Sequence, residues 1–452
     1  MRFFISRHVV AAITLLVLTA VPVSVVRAVD EFDKPPISYR DSTASNCCSQ
    51  LQQRLADGTQ KLRFDADSGY LRSLLTALDV PVESQMLVFS KTSLQQRRIA
   101  PETPRAIYFN DCVYIGYCQS GDVLELSAVD PELGAVFYTL DQQPSETPQL
   151  ERRNDNCMVC HSSSRTGGIP GHVVRSLFVD EDGHPLYSAG SRMVDHTTPI
   201  ADRWGGWYVT GTHGEQTHVG NLIVTGRRVS EPVENAEGQN VKDLTSRLSV
   251  DRYLSAYSDI VALMVLEHQT MVHNRITKAS FATRQAFHYE KTMNEILGYG
   301  EDNRLDSTQR RIATASDDLI EALLLVDEAR LTAPIRGTSG FAEVFAKAGR
   351  PDSQGRSLRD LDLNRRMFRY PCSYLIYSEA FDALPQATRD YIWQKLWQIL
   401  SGEDQSDTFA HLSKQDRRAI IEILCDTKPG LPEYWKVPQD AQISFAAPKE
   451  GT

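Results

Sequence analysis

The hydrophobic period of this chain changes from strand-like to helical near residue 245, and that change limits the folds open to it. Before it, MLVFS (86–90), AIYF (106–109), VYIGYC (113–118), VLELSAV (123–129) and AVFYTL (135–140) are short runs rich in β-branched and aromatic residues. Turn formers such as Asn110-Asp111 and Ser120-Gly121-Asp122 separate them. VVRSLFVDEDGHPLYSAG predicts a hairpin about Asp182-Gly183, and GGWYVTGTHG and GNLIVTG predict two further strands. After the change, DIVALMVLEHQTMVHN carries apolar residues at helical spacing, with Ser258 placed to cap its start. Helical patterns also occupy 48–62, 69–78, 281–297, 317–329, 340–348, 387–400 and 414–425. The expected class is α+β: a β-rich half over 29–240, a mostly helical half over 241–437 and a flexible tail over 438–452.

The first 28 residues read as a secretory signal. Arg2 and Arg7 make the start basic, residues 9–26 are almost wholly apolar, and Val26-Arg27-Ala28 offers small residues where a signal peptidase cuts. An uncleaved anchor is the rival, because eighteen apolar residues nearly span a bilayer. Pro22 and the Val-x-Ala site favour cleavage. A cleaved chain works in an oxidising compartment, most simply a bacterial periplasm, and is soluble there. Loss of Arg2, Arg7 and Arg27 takes the formal net charge from −10 to −13. So acidic a chain repels nucleic acid and anionic membranes.

Cysteines stand at 47, 48, 112, 118, 157, 160, 372 and 425. Cys112 and Cys118 flank a strand pattern, which holds them roughly 20 Å apart, too far for a bridge. Each then needs another partner if it is to pair. Cys372 and Cys425 both fall in the helical half and could meet. The alternative for all six outside 157–160 is a buried free thiol.

Cys157, Cys160 and His161 form C-x-x-C-H within NDNCMVCHSSS. Three chemistries use parts of this pattern. In covalent haem c attachment, each thiol adds to a vinyl group and the adjacent imidazole becomes the proximal iron ligand. Two intervening residues match the separation of the vinyls. In a zinc site, Cys157 and Cys160 would join His213 and His218. A thioredoxin-like dithiol normally closes a strand and opens a helix in a βαβ unit, a context this sequence does not offer.

Through Cys157, Cys160 and His161 the chain resembles the c-type cytochromes. The resemblance covers about thirty residues. It implies one covalent haem c, with His161 on the iron. Thr166-Gly-Gly-Ile-Pro170-Gly is similar to the proline element of that family, which implies that the Pro170 carbonyl accepts the imidazole N–H. A small cytochrome c sets its motif after a helix, whereas strand patterns flank this one. More widely, SQMLVFSKTS and RWGGWYVTGTHG resemble exported bacterial proteins described only as cytochrome c domain-containing.

The ligand opposite His161 decides between an electron carrier and an open, reactive iron. His196, His213, His218 and Met193 are the candidates for that sixth position, with Trp204 and Trp207 as walls. Each histidine is equally readable as a turn or surface residue. His268 shares a helical stripe with Val261, Met264, Val265 and Val272. It is readable as a hydrogen-bonded core residue or as a distal acid–base group of a peroxidase-like site, with Glu267 and His273 close by. Arg356, Arg359, Arg365, Arg366 and Arg369 offer either cations for haem propionates or an acidic partner, or a solvated face. The expected function is an exported mono-haem c protein that passes single electrons to a redox partner protein. A haem enzyme with an open sixth site, and a zinc-stabilised structural protein, are the alternatives.

Overall fold

The computed structural model describes residues 30–226, 228–229, 232–300 and 303–435. The expected signal segment (1–28) and tail (438–452) lie outside the described residues. The architecture is α+β. Helices α1 (Cys47–Ala56) and α2 (Leu71–Ala77) lead into strands β1 (Met86–Val88), β2 (Arg105–Phe109), β3 (Val113–Tyr117), β4 (Val123–Asp130), β5 (Gly134–Asp141) and β6 (Leu150–Arg152). The six strands form one antiparallel meander in sequence order. Then come the one-turn helix α3 (Met158–His161), a two-strand ribbon of β7 (Arg175–Ser176) and β8 (Arg192–Met193), and a long irregular stretch. Helices α4 (Ile260–Leu297), α5 (Asp306–Leu323), α6 (Phe341–Lys347), α7 (Glu379–Asp382), α8 (Gln386–Ser401) and α9 (Lys414–Thr427) complete the chain.

The sheet has two differently used faces, set by the period-two alternation of its strands. Leu87, Ala106, Tyr108, Val113, Ile115, Leu124, Leu126, Ala128, Val136 and Leu140 pack with Leu51, Leu71 and Leu74 of α1 and α2 in one apolar core. The other face carries Arg105, Ile107, Tyr114, Gly116, Glu125, Ser127, Phe137 and Thr139, in register across β2 to β5. Core packing crosses the expected boundary at 240. Met86, Val88 and Phe109 join the helical core, while Leu244, Leu248 and Phe281 join the sheet core.

Several local expectations change. Ser258 does not cap α4. Its hydroxyl donates to the Tyr208 carbonyl and accepts from Leu87 N–H, and Asp259 caps the helix through Val261 and Ala262 N–H. The patterns before residue 274 and after 281 are one continuous helix of 38 residues, because no proline or glycine interrupts them. GGWYVTGTHG and GNLIVTG are not strands. Their backbone groups pair singly with distant segments, as in the bridges Val88–Trp207, Thr210–Asp259 and Thr212–Arg336. The Asp182-Gly183 turn forms, but only the bridge Val179–Pro185 closes beside it.

Candidate functional site

α3 is short enough that Cys157, its N-terminal neighbour, and Cys160 and His161 within it share one turn. Offsets of three and four residues put all three on one side of that turn. Met158, 3% exposed, anchors the turn in the sheet core, and Val159 faces solvent. The three residues line a cavity whose floor is the polar-bearing face of the sheet: Arg105, Ile107, Tyr114, Gly116, Glu125, Ser127, Phe137 and Thr139. Trp207 and, from α4, Leu266 and Thr270 complete the walls. About 1120 Å³ of atom-free space lies inside, part of it open to solvent. Gly116 keeps the floor low: a Cβ there would come within 2.7 Å of the Arg105 guanidinium, which lies across it toward Glu125.

His161 is fixed on two sides by one peptide. Its Nδ1–H donates to the Gly171 carbonyl at 2.9 Å, and Gly171 N–H donates back to the His161 carbonyl at 2.8 Å. The acceptor is therefore Gly171 and not the expected Pro170, whose carbonyl instead accepts from Ala135 N–H at 3.2 Å. With Nδ1 protonated, Nε2 carries the lone pair, the tautomer a metal requires. The ring rests 4.6 Å from that of Phe137. Burial holds its pKa below the ordinary imidazole value, opposed by the Gly171 bond. Asn274 of α4 secures the same segment by clamping His172, accepting from its N–H and donating to its carbonyl at 2.8 Å each. Any side chain at Gly171 would strike Asn274, at 2.6 Å from a Cβ.

The expected sixth ligands lie elsewhere. His196 is buried against His268, their Nδ1 atoms 3.0 Å apart, and the other nitrogen of His268 meets Ser373 Oγ at 2.8 Å. His268 packs against Phe368 and Tyr374 of the helical half, while Leu266 and Thr270 line the cavity and His273 bonds Tyr114 of its floor. His268 is therefore a satisfied core residue, not a distal acid–base group. Glu267 likewise forms a buried pair with Arg203 at 2.8 Å. His213 and His218 sit with ring centroids 4.8 Å apart, His218 against Trp204, and each accepts a backbone N–H, from Asn240 and Gly220 respectively. Met193 borders a smaller neighbouring cavity. Of the two tryptophans, Trp207 lines the main cavity and Trp204 does not. Arg356, Arg359, Arg365 and Arg366 are paired with Asp352, Asp111, Asp362 and Asp416, and Arg369 lies over Tyr370.

The zinc arrangement is not assembled either. Among the described residues, the group of ligating side chains close enough to share an ion is Asp180, Asp182 and His184, which includes neither cysteine of the motif. A redox dithiol would need a thiol of lowered pKa, and burial instead pushes Cys157 up to about 11.

Two cavity residues carry no motif that marks them in the sequence. His172, 5% exposed, lines the cavity with Nδ1 on Ser127 Oγ at 3.0 Å and a buried Nε2 without a partner. Tyr114, on the floor, shares a hydrogen bond with His273 Nδ1 at 2.9 Å and accepts one from Gln269. Only its place two residues beyond the Pro170 element could have drawn attention to His172. No protein-family model matches the chain, and neither a curated protein nor a solved structure is significantly similar to it. Among the described residues no helix is long and apolar enough to cross a membrane.

Proposed function

We propose that this is an exported mono-haem c protein engaged in one-electron chemistry, with the haem bonded through Cys157 and Cys160 and His161 on the iron. One observation carries the reading. The two thiols and the imidazole come from a single helical turn and line one cavity with largely apolar walls. The donor set fits the group: two thiols for two vinyls, and one imidazole whose Nδ1–H is already engaged by a carbonyl, as second-shell control of a metal-bound histidine requires. Bound there, a haem would supply reversible one-electron exchange at iron. Ile107, Trp207 and Leu266 would present apolar surface to it, and the Arg105–Glu125 pair keeps the floor close to neutral. The electron is exchanged with a redox partner protein.

A second reading, an iron with an exchangeable sixth position, is favoured by the lining. His172 follows Gly171, whose carbonyl sits behind His161. His161 and His172 are the two imidazoles in the lining. The remaining polar lining is made of hydroxyls, an amide and the Arg–Glu pair. One experiment tests both readings. The chain is matured in a host that attaches haem c, and its visible spectrum is recorded reduced and then under carbon monoxide. A reduced c-type spectrum that survives acid–acetone extraction upholds the attachment. Bands that carbon monoxide shifts select the exchangeable iron, and unshifted bands select a carrier with two protein ligands. No haem absorbance in a host proven to attach it would overturn the proposal.

A further inference from the structure

Cys112 cannot bridge to Cys118 across β3, and the structure brings it another thiol. Cys47, at the start of α1, meets Cys112, in the turn between β2 and β3. Cys47 Sγ lies 3.5 Å from the Cys112 carbonyl, a contact that spans 65 residues of sequence. Both pack at the edge of the same apolar core, and both are half-buried, so neither is sealed from a reagent. The neighbouring cysteines lack this arrangement. Cys48 is turned into the core, Cys118 and Cys372 are buried, and the thiol of Cys425 donates to the Trp435 carbonyl.

The geometry points to Cys47 and Cys112 as a disulfide-forming pair, oxidised to a structural cross-link when the chain reaches a thiol-oxidising compartment. The chemistry is thiol–disulfide exchange with an oxidising protein disulfide. One thiolate attacks that disulfide to give a mixed disulfide, and the second thiol displaces it. Two S–H bonds are lost, one S–S bond forms, and the two electrons and two protons leave on the partner as a dithiol. All eight cysteines are thiols in the structure, and Cys47 Sγ already touches the Cys112 backbone.

The location gives the bond a consequence. The turn it would pin is a junction between the three layers of the fold. Asn110 accepts through its carbonyl from Gln269 of α4, and Asp111 is paired with Arg359 of the helical half. Tyr114 of the cavity floor follows Cys112 by two residues and is bonded to the same Gln269. A cross-link from α1 to this turn fixes the end of the β2–β3 hairpin from the side opposite α4, and limits the ways the floor can shift.

The test uses the full chain from an oxidising compartment, acid-quenched, alkylated and digested without reduction. The expected result is a peptide containing Cys47 linked to one containing Cys112, two hydrogens lighter than their sum, with fragmentation between Cys47 and Cys48 assigning the link. Recovery of both as alkylated thiols, or of Cys112 joined to any other cysteine, would overturn the inference. A second measurement compares melting with and without a phosphine reductant. Reductant should lower the midpoint of the parent by several degrees and leave Cys47→Ser unmoved. An equal drop in both would also overturn it. The haem assignment is not at stake, because the spectrum of Cys47→Ser should match the parent in either case.

Discussion

Two histidine-bearing regions lie on opposite sides of α4, and both are buried. On the cavity side, His161 keeps Nε2 free and His172 has a buried Nε2 with no partner. On the far side, His196 and His268 bond each other, Ser373 takes the remaining nitrogen of His268, and Arg203 bonds one oxygen of Glu267, whose other oxygen has no partner. By composition the two regions are alike, each with two histidines, an acid and an arginine, since the cavity also holds Arg105 and Glu125. Hydrogen bonding separates them. A polar group satisfied by its neighbours contributes to stability, and one left open inside a cavity is ready for a ligand. The lesson is to ask where each ring nitrogen goes before assigning a histidine a role.

The sharpest way to break this comparison is substitution on each side. Cys157→Ala with Cys160→Ala should abolish haem that survives denaturing extraction, read by haem-stained gels, while His268→Ala should retain it in full. If His268→Ala lost covalent haem and the double cysteine variant kept it, the two regions would have been assigned the wrong way round.

Acid should act next most strongly. Burial lowers His196 to about 4 and His218 and His273 to about 3. Unfolded imidazoles bind protons from about pH 6.5 downward, and these folded ones do not. Stability is therefore undiminished above about 6.5 and falls as pH drops toward those values, by about 1.4 kcal/mol per pH unit for each histidine. Glu267 and Glu328, both raised to about 7 by burial, work in the opposite direction above 4.5. The buried histidines outnumber them. Urea melts from pH 7 to 4 should show a falling midpoint, and a flat profile would mean that the imidazoles are solvated.

His268→Ala should cost about 2–4 kcal/mol, because it opens a cavity and strands Ser373 and His196. Denaturant titration measures this, and the haem spectrum should not move. Asn274→Ala should cost less, about 1–3 kcal/mol for two backbone groups left without their partner. It should also perturb the spectrum, since Asn274 clamps the residue after Gly171. A spectral change in His268→Ala and none in Asn274→Ala would dissolve the distinction between the two sides.

The sheet was largely legible in the sequence. β2 to β5 fall where β-branched runs alternate with turn formers, since strand pairing in a meander is local in sequence. The stretch from 203 to 258 was not. Its β-rich composition suggests strands, yet its groups pair one at a time with residues far away, such as Thr212 with Arg336. At the site, the helical spacing of His268 was read correctly as one stripe, but spacing does not say what a stripe faces. His172 and Asn274 went unseen because each is defined by a partner about a hundred residues distant.

By itself the sequence determined the C-x-x-C-H cluster. Cys157, Cys160 and His161 lie within a single turn, so their proximity needs no tertiary contact. It also determined the alternation that gives the sheet two faces. Only the tertiary structure decided which face borders a cavity and which side of α4 closes it. It also replaced Pro170 by Gly171 as the partner of His161, and set Cys47 against Cys112. These outcomes depend on contacts between segments far apart in the chain, where burial and the satisfaction of polar groups, not local spacing, select the arrangement.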